Sequence, residues 1–276
     1  MKKVLLAVLI FCIMQALAGV VMAVPMALTV NSSTSPILYL YMSLALIVSG
    51  FLTFLICWKG LKIIEFPETF SCSSINWKWA LVAIVASMMG IIAGDLLSEI
   101  INLPNVIEDM VLGMAESFWG ILAIAVIGPI VEELVFREGI CGYLIRSGSG
   151  HWRAIWISAI LFGVIHFNPA QIPFAILMGI ILGVIYVKTG NIVITSIIHI
   201  LNNSTAMIDV NALGDKVKDF SLVEWVGGPV VAGICIIVGA TLCFLLLRRF
   251  WKVGLTPNPG LTPNPSPVGE GDLTKE

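Results

Sequence analysis

Apolar residues run along this chain in long blocks, each fenced by a short polar stretch, with none of the alternation of a half-buried strand. Blocks long enough to cross a hydrocarbon layer of about 30 Å fall near residues 4–26, 36–58, 79–96, 118–144, 153–168, 172–188, 191–208 and 226–247. Backbone polar groups find no water in lipid, so continuous apolar runs of this length predict helices. The expectation is an all-α, polytopic transmembrane helical bundle of about eight spans.

The polar stretches refine this outline. The start, "MKKVLLAVLIFCIMQALAGVVMA", has the order of a signal peptide, but the apolar run continues through Val24–Val30, which favours an uncleaved first span. Residues 97–117 alternate polar and apolar positions, as a short surface helix or an ordered loop would. The C-terminal stretch repeats LTPNP and is dense in Pro, Gly and Asn, so 254–276 reads as a disordered tail with little to bury. Residues 1–253 form one transmembrane domain. "NSS" at 31–33 is a glycosylation acceptor only in a secretory-pathway membrane.

Composition agrees with a lipid environment: 58% of the 276 residues are hydrophobic and 12% charged, against about 25% charged in a soluble domain. Mean hydropathy is +1.01. A net charge of -2 supplies no basic surface for nucleic acid. The six cysteines show no CxxC spacing and mostly lie in apolar runs, so neither a disulfide framework nor a thiolate metal site is indicated. If all eight blocks span, Lys2, Lys3, Lys59, Lys62, Lys78, Arg146, Arg153, Lys188, Arg248, Arg249 and Lys252 fall on one side. Residues 97–117 carry four acids and no Lys or Arg, and only 209–225, with Lys216 and Lys218, breaks the bias. Both termini are expected on the cytoplasmic face.

A few charges lie inside the blocks, where they cost several kcal/mol unless paired, hydrated or used. In "GPIVEELVFREGI" (128–140) Glu133 and Arg137 are four apart and share a helical face, which suits an ion pair. Glu132 points about 100° away and has no cation on its own face. Two further blocks supply partners: "FGVIH" places Phe162 four before His166, and "HILNN" places His199 four before Asn203. Counted along helices, Glu132 and His166 lie roughly 20 Å from Arg146 and Arg153, and His199 and Asn203 roughly 12–18 Å from Asn191. These groups then share one middle-to-cytoplasmic layer. A carboxylate, two imidazoles and a carboxamide are the parts needed to activate a water and to steady the charge formed when it attacks a carbonyl.

"EELVFR", "FGVIH" and "HILNN" resemble the EExxxR, FxxxH and HxxxN boxes of the CPBP intramembrane proteases. That group contains the Rce1-type CAAX prenyl endopeptidases and bacterial bacteriocin-processing or immunity proteins. The resemblance covers roughly 118–208 and implies an intramembrane endopeptidase with a cavity open toward the cytoplasmic side. Its substrate would be a membrane-tethered protein or peptide, a prenylated CaaX protein or a peptide precursor. The resemblance implies Glu132 as general base with His166 helping to position water, His199 and Asn203 as the oxyanion-stabilising pair, and Glu133, Arg137 and Phe162 in support. Many members carry Gly directly after the arginine, where this chain has Glu138, expected to reach the cytoplasmic headgroups. No HExxH occurs; no cofactor is favoured, and a zinc, the alternative, would recruit Glu132, His166 and His199 from separate helices. Two other classes compete: a non-catalytic scaffold or bacteriocin-immunity protein that keeps the charges as a structural cluster, and a transporter using Glu and His as a proton relay.

Overall fold

The computed structural model describes residues 1–28, 36–65, 72, 75–213, 219–253 and 261. The expectations for the 31–33 acceptor, for Lys216 and Lys218, and for the tail apart from Leu261 lie outside the described residues. Every regular element described is helical: α1 (Lys2–Leu28), α2 (Pro36–Leu55, prolonged by a π turn at Ile56–Gly60), α3 (Trp77–Ile101), α4 (Glu108–Ala115), α5 (Phe118–Arg146), α6 (His151–Val164), α7 (Ile172–Thr189), α8 (Ile192–Leu213), α9 (Leu222–Trp225) and α10 (Pro229–Lys252).

All eight predicted blocks are helices, and six are long and apolar enough to cross a membrane. Helix α6 and the apolar part of α8, Ile192–Met207, are shorter. The 14 residues of α6 rise only about 21 Å, so this predicted span stops early. Residues 97–117 divide between the end of α3, a turn entered through Asn102 at φ 52°, and the short helix α4.

Local chemistry sets the boundaries. Asn76 caps α3 by accepting from Trp79 N, Ser117 caps α5 by accepting from Gly120 N, and Asn191 caps α8 by accepting from Val193 N at 2.8 Å, each satisfying a first-turn donor. Helix α7 starts beside Pro173 and stops at Gly190 in the left-handed conformation, φ 61°. Helix α5 is composite, with π-helical stretches at Leu122–Ile127 and Leu134–Gly142 on either side of an α segment that begins at Gly128-Pro129. The first π stretch accommodates the proline, which has no N–H to donate.

The helices alternate in direction, and contacts between distant residues register both ends of the bundle. At one end Arg146 of α5 bonds Ile63 O after α2, and Trp152 of α6 stacks on Trp251 of α10. At the other, Ala170 N donates to Pro104 O, and Glu99 of α3 accepts from Ser221 and Leu222. Apart from the buried Arg137, every described Lys and Arg belongs to the first, basic end. Glu99, Glu108, Asp109, Glu116 and Glu224 belong to the second, acidic end. Helices α6 and α7 meet closely: a Cβ on Gly179 would stand 2.9 Å from Ala159 Cα, and one on Gly163 would stand 2.9 Å from Ile172 O. Small residues at these crossings let the backbones approach and fix the turn between the two helices.

Candidate active site

The three motif segments converge at the middle of the bundle. Helix α5 presents Glu132 and Glu133 on different faces, as their adjacency requires. Glu133 is fully buried and meets Arg137 Nε at 3.2 Å, also with no exposure, so the predicted ion pair forms. Glu132 keeps 21% side-chain exposure and lines a cavity of about 250 Å³.

The partner of Glu132 is His199. Its Nε2 lies 3.6 Å from Glu132 Oε2, and its Nδ1 lies 3.1 Å from Glu133 Oε1. A neutral imidazole has one N–H and one lone pair, yet both ring nitrogens here face carboxylate oxygens. Nδ1 is within hydrogen-bond distance of Glu133 Oε1, whereas Nε2 stands beyond that distance from Glu132 Oε2. Glu133 therefore serves two partners: Arg137, as expected, and His199, which the spacing within α5 could not show.

His166 departs from its expected place on a helical face. Helix α6 ends at Val164 and His166 sits in the turn beyond it. The i+4 relation survives through a capping bond, His166 Nδ1 to Phe162 O at 2.8 Å. A carbonyl only accepts, so Nδ1 carries the hydrogen, and in the neutral ring Nε2 keeps its lone pair. His166 lines the same cavity as Glu132 and His199.

Phe162 joins these parts. Its buried ring stands edge-on to His166 and to His199, with centroids 5.0 and 5.7 Å away, and to Phe136 at 5.3 Å. The Arg137 guanidinium carbon lies 4.4 Å from the centroid of the same ring. Arg137 Nη1 and Nη2 have no hydrogen-bond acceptor among the described residues, so the Phe162 ring, negative on its face, is an important neighbour of that buried charge.

Asn203 on α8 donates from Nδ2 to Ile124 O, 2.9 Å away in the first π stretch of α5, and its Oδ1 accepts from Asn202 Nδ2 at 2.9 Å. One Nδ2 hydrogen remains. Sequence reasoning missed Gln15, Gln171 and Asn202, which also line the cavity. Gln15 was the most findable, as a polar side chain within the first apolar block.

Two expectations are corrected. Glu138 does not reach headgroups: it is fully buried, pairs with Arg146 Nη1 at 2.9 Å, and accepts from Tyr186 Oη and from Glu65 N. Arg146 and Tyr186 supply inside the bundle the partners that headgroups would have supplied outside it. The polar layer also does not open toward the basic end. The cavity runs from Glu132 toward α4 and the 165–171 turn, where Ile107, Met110, Met114 and Gln171 line it.

No group of three or more His, Cys, Asp or Glu among the described residues is placed to hold a metal ion.

The three motif segments at one cavity resemble those of the CPBP membrane proteins, and the resemblance extends over about a third of the chain. Residues 114–205 match the family described as type II CAAX prenyl endopeptidase Rce1-like. The chain is 33% identical over 93 residues to the membrane-embedded CAAX protease MroQ of Staphylococcus aureus (strain USA300), covering 32% of this chain and 38% of that protein. It is 27% identical over 88 residues to the putative membrane peptidase YdiL of Bacillus subtilis (strain 168), covering 32% and 36%. The chain thus spans little more than a third of the length of these curated relatives. No solved structure matches the chain.

Proposed function

We propose that this protein is an intramembrane endopeptidase that hydrolyses a peptide bond of a membrane-tethered protein or peptide with a water activated by Glu132 and His166. The observation that carries this reading is the pairing of a cavity-facing Glu132 with His199, beside a His166 whose Nε2 is free to accept. In this reading Glu132 takes a proton from water as the oxygen attacks the scissile carbonyl, and His166 Nε2 accepts the second hydrogen to orient the attack. His199 and the remaining Asn203 N–H stabilise the oxyanion. The proton held by Glu132 then passes to the leaving amine as the C–N bond breaks, and the carboxylic acid formed gives its remaining proton to that amine, leaving a carboxylate and an ammonium group.

Glu132→Gln tests it, because the amide keeps the shape and removes proton acceptance. Cleavage of a membrane substrate, identified by comparing peptide termini in membranes with and without the protein, should be abolished at matched thermal stability. Wild-type turnover by the purified Glu132→Gln variant would eliminate this mechanism.

A further inference from the structure

We infer that the cavity is entered from the acidic end of the bundle, the membrane face opposite the Lys- and Arg-rich end, and that its substrates are peptide segments presented on that face. The inference rests on the reading of the cavity as the site of hydrolysis.

Glu132 marks a boundary along α5. Every residue of Leu134–Gly142, on its basic-end side, is buried. Below them Glu138, Arg146 and Tyr186 close over one another, and Arg146 ties Ile63 O to the same cluster. A peptide approaching from the basic end would have to break a buried ion pair, which costs several kcal/mol. On the acidic-end side, Leu122, Ile124, Ile127, Gly128 and Ile130 are all partly exposed. The cavity follows that side, past His166 to the Gln171 turn and the inner face of α4.

The entrance is also built as one unit. Asn168 is fully buried beside the His166 turn, accepts from Val106 N at 3.1 Å and donates to Asn105 Oδ1 at 2.8 Å. The turn before α4 and the turn carrying His166 thus form a common rim. Glu108 and Asp109 stand exposed on the outer side of α4.

The charge asymmetry assigns a membrane face to this entrance. Lys and Arg concentrate on the cytoplasmic side of membrane proteins, so the acidic end faces away from the cytoplasm. Between the two substrate types under consideration, this favours a peptide precursor or membrane protein whose cleavage site emerges on the far face. It disfavours a prenylated CaaX terminus anchored at the cytoplasmic leaflet.

Cysteines introduced one at a time into a Cys72→Ser parent, which keeps the five other native cysteines, test the inference in sealed vesicles of known orientation, probed with a membrane-impermeant maleimide. Val106→Cys and Arg153→Cys mark the two ends, and Met110→Cys and Gln171→Cys report the cavity, each checked against the parent's unfolding temperature. The cavity positions should label with Val106→Cys and not with Arg153→Cys, above the background of the parent. If one cavity variant fails to fold, the other carries the result. Labelling together with Arg153→Cys, or only after detergent opens the vesicles, would overturn the inference, as would both markers labelling from one face. Access is read without any cleavage, so an inert protein that labels as expected would refute the protease and leave the entrance standing.

Discussion

The ring of His199 stands at 88° to that of Phe162, with 5.7 Å between centroids. His166 meets the same ring at 85° and 5.0 Å. Phe162 thus orients two imidazoles from different segments and also covers Arg137, which gives one apolar residue control over three polar ones. Phe162→Ala should cost on the order of 3–5 kcal/mol, the range for a buried aromatic truncated to alanine. Phe162→Leu retains most of the volume but no edge or face for these partners, so it should fold and lose turnover. Thermal unfolding in detergent, with turnover measured on the folded fraction, checks both. Unchanged turnover in Phe162→Leu would reduce Phe162 to packing alone.

Glu133 carries Arg137 on one oxygen and His199 on the other. Arg137→Ala leaves a buried carboxylate without its cation, a loss on the order of 3–5 kcal/mol. The double variant Glu133→Gln, Arg137→Met removes both charges and should recover part of the folded yield. It should not recover activity, because His199 Nδ1 then faces an amide in place of a carboxylate. Monodispersity and thermal unfolding measure the first outcome and turnover the second; a double variant with wild-type turnover would show that Glu133 does not orient His199.

The clamp formed by Asn168 predicts a different signature. Asn168→Ala leaves Val106 N without its acceptor and releases the His166 turn from the α4 rim. Misplacing a water-positioning group by about 1 Å costs turnover up to roughly 100-fold, so kcat should fall more than KM rises. Asn168→Asp, which keeps the acceptor for Val106, should recover part of kcat. A neighbouring residue shows the tension in this turn: Phe167 adopts φ 49°, a left-handed conformation costing roughly 1–2 kcal/mol for a residue with a Cβ. Phe167→Gly should relieve that local cost.

Much of this arrangement was legible in the residue order. Long apolar blocks gave the helices, and the i,i+4 spacing gave the Glu133–Arg137 pair, because both depend on neighbours along one segment. The separation of Glu132 from that pair also followed from one residue's rotation. The partners of Glu132, Glu133 and Glu138 did not follow, since His199, Arg146 and Tyr186 reach them from other helices or from two turns away. Nor did the end of α6: the apolar pattern continues through Ile165 and Phe167, and the turn instead follows from Asn168 binding the 105–106 backbone and side chain. The direction of the cavity depends on which side of Glu132 is filled, a property of packing that periodicity along α5 does not carry.

Asn203 supplies the last test. Its Nδ2 already donates to Ile124 O, so the residue ties α8 to the first π stretch of α5 while keeping one hydrogen for a developing oxyanion. Loss of one such donor costs roughly 100- to 1,000-fold in turnover, whereas loss of a neutral structural hydrogen bond costs only about 1 kcal/mol of stability. Asn203→Ala should therefore lower kcat on the order of 100-fold at nearly unchanged unfolding temperature. Asn202→Ala removes only the bond to Asn203 Oδ1 and should lower it far less. Turnover and thermal unfolding of the two variants, measured side by side, separate the roles. Equal losses in both, tracking equal losses of stability, would make the pair a structural tie between α8 and α5 and remove Asn203 from the chemistry.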